Sequence, residues 1–300
     1  VTTLDRPAPA AATTEPASGD RPVRRELGVA NVFSHGFLLL WGALTVLPLL
    51  WMVLSSFKTN GEILADPWGL PSALRFDNWA RAWSEAHIGR YFLNSIVVVA
   101  GSVSLTMLMG ATAAYVFARY EFRGRQFVYY LFVGGLMFPV FLALVPLFFV
   151  VRNAGLFNTW TGLILVYSAY SLPFTVFFLT AFFRTLPTSV AEAALVDGCG
   201  HFRLFFRVML PMARPGLISV AIFNFLSHWN QFLLPQVLMQ GDDSKWVLAQ
   251  GLFALSVSQG YAGDYARLFA GLTIAVLPVL VVYVVFQRQV QSGLTAGQLK

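Results

Sequence analysis

Three hundred residues that are 57% hydrophobic and only 11% charged, with a mean hydropathy of +0.66, exclude an ordinary soluble domain, which would expose large apolar areas to water. The net charge of +6 and pI near 9.7 do not point to nucleic acid, because the basic residues are spread over short loops with no stripe of interleaved stacking aromatics. One cysteine, Cys199, and four histidines far apart in sequence give no support for a disulfide, redox chemistry or a zinc site.

Residues 1–32 are rich in Ala, Pro, Thr and Arg, lack a long apolar run, and read as a disordered cytosolic tail with no cleavable secretion signal. Six stretches then reach the roughly 20 residues needed to cross the hydrocarbon layer: approximately 33–57, 92–118, 127–151, 161–183, 217–239 and 267–287. All six are expected to be helices, since a helix satisfies its own backbone polar groups in lipid. The fold class is therefore all-α, a polytopic protein with a membrane domain over 33–288 and a cytosolic tail over 289–300.

Residues 58–91, with Trp68, Trp79, Trp83 and the turn signals Asp66-Pro67 and Leu70-Pro71, suit a small folded cap with interfacial aromatics, or a plain connection. In the third span Gly134-Gly135, Pro139 and Pro146 imply a kink or a break. The fourth carries Tyr167, Tyr170, Ser171 and Pro173, which either line a route or only shape the bundle.

Between the fourth and fifth spans, over 185–216, Ser189-Val190-Ala191-Glu192 has the spacing of a capping box that opens a short helix. Ala191, Ala193 and Ala194 keep that helix slim, and Gly198, after Asp197, can take the left-handed turn that ends it. Such a helix of about two turns could sit in a groove on another protein. Phe202, Leu204, Phe205 and Phe206 offer apolar contacts before Leu210-Pro211 breaks the path.

The fifth span holds Asn224, Ser227, His228, Trp229, Asn230 and Gln231, an unusual density of hydrogen-bonding side chains. In lipid they would be costly, so they should face other helices or a hydrated cavity. On a continuous helix Asn224, Ser227 and Gln231 would share one face. That face with Trp229 would suit a sugar, whose hydroxyls want hydrogen bonds and whose ring wants an aromatic plate. It would equally suit glue between helices. Residues 240–266, polar and punctuated by Gly241, Gly260 and Gly263, read as a loop reaching toward a partner.

With the N-terminus in the cytosol, the inside segments carry 13 of the 20 Lys and Arg residues and the outside segments 7, while acidic residues divide seven and seven. The positive-inside rule then places both termini and the 185–216 segment in the cytosol. No Asp or Glu lies inside a span, which weakens an ion-coupled carrier. No lysine completes a phosphate-binding G-x-x-x-x-G-K-[ST] loop, so any ATP must be handled by another polypeptide.

The spacing Glu192-Ala193-Ala194, Gly198, Val208-Met209-Leu210-Pro211 is similar to the EAA loop of membrane subunits of ATP-binding-cassette (ABC) importers, with Val208 in place of the usual Ile. Further patches resemble the carbohydrate branch, in particular the smaller membrane subunit of the maltose type. They are Ala113-Ala114-Tyr115-Val116-Phe117-Ala118-Arg119 with Phe122-Arg123-Gly124-Arg125, Gly155-Leu156-Phe157-Asn158-Thr159 with Gly162-Leu163-Ile164, Trp229-Asn230-Gln231-Phe232, and Gly293-Leu294-Thr295-Ala296-Gly297. The resemblance implies a type I ABC importer transmembrane domain in a prokaryotic cell membrane, forming half the path for a sugar or sugar-like solute. It also implies a heterodimer with a second permease subunit, two ATP-binding subunits that hold the ATP and Mg, an extracytoplasmic solute-binding protein, and no cofactor on this chain. Ser189, Glu192, Ala193, Ala194, Asp197, Gly198, Leu210 and Pro211 would couple to the ATPase. Asn224, Ser227, Trp229, Asn230, Gln231, Tyr167 and Tyr170 are the candidates for the solute path. A stand-alone channel or secondary carrier, and a membrane scaffold, are the competing classes.

Overall fold

The protein is described here by a computed structural model covering residues 29–295. The expected tail over 1–32 lies outside the described residues up to position 28, as do Ala296 and Gly297 of the C-terminal patch. By its contacts the chain divides into two units, Val1–Pro48 and Leu49–Lys300. The described part of the first is the start of α1 (Val29–Ser55), in which Phe37 and Trp41 stack at 6.4 Å and Thr45 Oγ1 donates to Trp41 O at 2.9 Å.

The second unit is built around α4 (Ile88–Arg119) and α7 (Trp160–Thr185). At 1.5 Å per residue the 32 residues of α4 span about 48 Å, more than the roughly 30 Å hydrocarbon layer. Along α4, Val98, Ser102, Thr106, Gly110 and Ala114 recur every four residues and are all buried. This small-residue stripe lets the two backbones approach closely. A Cβ on Gly110 would stand 2.3 Å from Thr175 Cγ2.

The third and fifth spans are broken. α5 (Arg125–Leu136) and α6 (Val140–Asn153) meet at 104° across Met137–Pro139. Pro139 has no N–H to continue the ladder and disfavours helical geometry in the residue before it, so the break falls where Gly135 and Pro139 forecast one. At the second break, the run His201–Met212, which holds α9 (His201–Leu204) and α10 (Leu210–Met212), bends by 78° into α11 (Arg214–Trp229). The predicted fifth span, 217–239, is therefore shifted: α11 stops at Trp229, where Asn230 Nδ2 donates back to Leu226 O at 2.8 Å, and Leu233–Leu238 forms a separate turn of helix, α12. Among the described residues, four helices are long and apolar enough to cross a membrane, or six if each bent pair counts as one span.

The segment 58–91 is folded. Thr59 and Glu62 form a capping box on α2 (Asn60–Ala65), and α3 (Asp77–Ser84) follows. Lys58 is buried, with Nζ donating to the carbonyls of Asp66 at 3.0 Å and Pro67 at 3.2 Å. Arg81 pairs with Asp264 at 2.9 Å and Arg267 with Glu85 at 3.5 Å, tying α3 to the start of α14 (Tyr265–Thr295).

Residues 240–266 are not an extended loop. They form a 3-10 turn at Asp243–Lys245 and helix α13 (Leu248–Ala262), whose Leu248, Gln250 and Leu255 are buried. Gly251, inside α13, is a packing contact, since a Cβ there would sit 2.0 Å from Tyr91 Cδ2.

Candidate functional site

At the C-terminal end of α4 and α7, α8 (Thr188–Val196) projects from the bundle. The expected capping box is absent. The helix starts two residues earlier, at Thr188, with Pro187 as N-cap and no side-chain cap bond, which leaves Ser189 exposed in the first turn. Its end follows the spacing closely. Gly198 sits at φ +78°, its N–H bonds Leu195 O at 3.0 Å, and Cys199 N–H bonds Ala194 O at 2.9 Å. That bond pair is a Schellman motif, which satisfies two terminal carbonyls and requires the left-handed glycine.

The helix has two faces. Ala191, Ala194 and, beyond the turn, Cys199 pack on a core that includes Tyr115, Phe183, Phe205 and Met209, joined by Leu210. Glu192, Ala193 and Asp197 point away, and Pro211 is also exposed. Val196 at 87% and Phe202 at 84% exposure leave apolar surface uncovered among the described residues. The base is tied down. Arg119 Nη2 donates to Phe183 O at 2.9 Å and Leu186 O at 2.5 Å, placing a cation at the negative end of α7, and Tyr120 OH bonds His201 Nδ1 at 2.8 Å. A π-turn over Phe205–Met209 turns the Phe205 and Met209 side chains into the core.

Midway along α4, a polar column joins α4, α7 and α11. His228 lies between Ser102 Oγ at Nδ1 and Ser171 Oγ at Nε2, each at 2.8 Å. Ser102 Oγ also lies 3.2 Å from Val99 O, and since an imidazole can donate at one ring nitrogen and accept at the other, His228 bridges the two serine hydroxyls whichever nitrogen carries the proton. One turn away, Asn224 Nδ2 donates to Thr175 Oγ1 at 2.9 Å and reaches Met107 Sδ at 3.7 Å.

Beside this column, at the α5–α6 break, a groove of about 320 Å³ opens between α7 and α11. Tyr170, Phe174 and Phe223 wall it, Ser171, Asn224 and Ser227 supply its polar atoms, and Phe138 and Gly135 border it from the break. Of the candidate path residues, the structure thus brings together Tyr170, Asn224 and Ser227. Gln231 lies past the end of α11, so it does not share the face of the other two. Asn230 is the exposed cap. Trp229 stacks on Phe225 at 5.7 Å and donates Nε1 to Ala275 O at 3.1 Å, which makes it a buried contact to α14. Tyr167 is buried, its ring 5.1 Å from that of His228. The roles of Ser102 and His228 were not evident from sequence; the available signal was hydroxyls at helical spacing inside otherwise apolar spans.

Residues 106–295 match the family described as binding-protein-dependent transport system inner membrane component, a span that covers α8, its EAA spacing and the groove. The chain belongs to this family. It is a multi-pass subunit of a transport system that works with a solute-binding protein, a partner permease and an ATPase, and is not itself an enzyme. The chain is 56% identical over 267 residues to the diacetylchitobiose uptake system permease protein NgcG of Streptomyces coelicolor, covering 89% of this chain and 88% of that one. It is 31% identical to the multiple sugar-binding transport system permease protein MsmG of Streptococcus mutans, over 93% of this chain and 100% of that one. A chain from the crystal structure of a bacterial ABC transporter involved in import of the acidic polysaccharide alginate superposes with a TM-score of 0.77 at 19% identity, covering 88% of this chain and 97% of that one, which is a likeness of fold.

Proposed function

We propose that the chain is one of two different permease subunits of a sugar importer, with an N-acetylated disaccharide of the diacetylchitobiose type as its first candidate solute. The name and 56% identity of the NgcG relative support the solute class. One of two ATP-binding subunits grips the exposed face of α8 from the cytosol, where both termini also lie. ATP and Mg are bound on those subunits, and their closure, carried through Ala191, Ala194 and Cys199 into the ends of α4 and α7, reorients the membrane cavity as a rigid body. The observation that carries the coupling role is the two-sidedness of α8, with its inner face packed and tied while Glu192, Val196 and neighbouring Phe202 stand exposed.

Co-reconstitution of the chain with its second permease, ATPase and binding protein tests the reading. ATP-dependent uptake of diacetylchitobiose is expected, together with loss of binding-protein-stimulated ATPase activity when Glu192 and Gly198 are both replaced. Uptake by the chain alone without ATP, or an unchanged coupled ATPase rate in the double variant, would overturn it.

A further inference from the structure

The groove at the α5–α6 break offers hydrogen-bond acceptors and no charge. Asn224 commits its amide N–H₂ to Thr175 Oγ1 and Met107 Sδ, which leaves Oδ1 without a hydrogen bond among the described residues. Asn224 is thus set as an acceptor by the bonds that its amide N–H₂ makes behind it. Ser171, whose Oγ is held 2.8 Å from His228 Nε2, lines the groove beside it. Ser227 Oγ and the Tyr170 hydroxyl make no hydrogen bond among the described residues and can serve in either sense. No side chain lining the groove is charged. Three aromatic rings, Tyr170, Phe174 and Phe223, form its walls, and its volume of about 320 Å³ falls at the lower end of the roughly 300–1,000 Å³ of small-molecule sites.

We infer that this groove is a solute-contacting subsite on this chain, selective for neutral sugars that present hydroxyl or acetamido N–H donors and unfavourable to uronates. The inference rests on the reading of the chain as a sugar permease and adds a location and a selectivity to it. The Asn224 acceptor in a low-dielectric wall rewards donors, and a carboxylate there has no cation to meet. The aromatic rings take the apolar face of a sugar ring. His228 acts as a positioning residue: it holds the Ser171 Oγ at 2.8 Å without lining the groove itself.

The test uses the assembled transporter in proteoliposomes with radiolabelled diacetylchitobiose, reading uptake and binding-protein-stimulated ATPase in parallel. Ser227→Ala and Tyr170→Phe, each at an exposed position that should not compromise folding, are expected to raise the KM for uptake by about 2- to 10-fold, the worth of one hydrogen bond. Ser227→Trp, which fills the groove, is expected to cut uptake by at least about tenfold while stimulated ATPase activity persists. Unchanged uptake in Ser227→Trp, or separation of the two permeases on purification of that variant, would overturn the subsite, the latter by identifying the groove as a protein interface. Saturation-transfer NMR on the same complex reads the groove apart from transport, with N-acetylglucosamine as probe and glucuronate as the charged comparison. A signal from N-acetylglucosamine that exceeds that of glucuronate and vanishes in Ser227→Trp supports the inference. No signal, or an equal one from glucuronate, overturns it. Failure of wild type to take up diacetylchitobiose while the NMR contrast stands would instead refute the proposed transport function.

Discussion

Replacing Gly198 by Ala isolates the backbone requirement of the α8 turn from any steric effect. An added Cβ at Gly198 or at Gly200 meets nothing within 4 Å, so neither substitution clashes. The two glycines differ in backbone: Gly198 is at φ +78° and Gly200 at φ −69°. An L side chain in the left-handed region costs about 1–2 kcal/mol, and Asn less than Ala, which corresponds to a roughly 5- to 30-fold shift toward the opened turn. The two bonds that would open are Gly198 N–H to Leu195 O and Cys199 N–H to Ala194 O. Hydrogen exchange on the assembled transporter should show these amides exchanging about 5- to 30-fold faster in Gly198→Ala, less so in Gly198→Asn, and at the wild-type rate in Gly200→Ala. The coupled ATPase rate should fall in the same order. Equal effects of Gly198→Ala and Gly200→Ala would refute the argument that conformation, and not chain identity in the loop, sets the turn.

Gly162→Ala should destabilise the protein in detergent by about 1–3 kcal/mol or more, because the new Cβ would lie 2.2 Å from the backbone oxygen of Leu156, whereas Gly134→Ala, with open space around it, should not lower the thermal midpoint. His228→Ala should cost about 1–2 kcal/mol by stranding Ser102 and Ser171, with either serine-to-alanine change costing less; thermal unfolding of the three variants checks the order. Hydrogen bonds from Ser72 and Thr59 lower the Glu62 pKa to about 2. A folded-state pKa below that of the unfolded chain means stability that is present above the ordinary carboxylate range and lost as pH falls through it toward about 2. Exchange of the α2 amides should therefore quicken in wild type over that window and stay flat in Glu62→Gln.

Features that depend on local chemistry were readable from the chain. Apolar length marked the spans, Gly135 and Pro139 marked the break in the third, and Gly198 marked the end of α8. Features that depend on what a residue meets across the fold were not. Ser189 has capping spacing, yet Pro187 already fixes the extended entry to α8 and the cap goes unused. Thr59-Asn60-Gly61-Glu62 has the same spacing and does form the box, with Glu62 also accepting from Ser72 N at 3.2 Å. The segment 240–266 reads as a loop, yet most of it is α13, which packs through Gly251 against Tyr91. Asn224, Ser227 and Gln231 read as one helical face, but Asn230 caps α11 and sends Gln231 elsewhere, leaving Asn224 and Ser227 on the groove. His228 resembles a stray polar residue in one dimension and is a three-helix junction in space.

The central claim is that α8 is a cytosolic handle for a separate ATPase. Val196→Cys, at a position 87% exposed, in a Cys199→Ser background offers a single reporter thiol on its outer face. A membrane-impermeant maleimide should label that thiol in inside-out vesicles and not in right-side-out cells, and bound ATPase should protect it. Labelling from the exterior, or from neither side, would contradict the account.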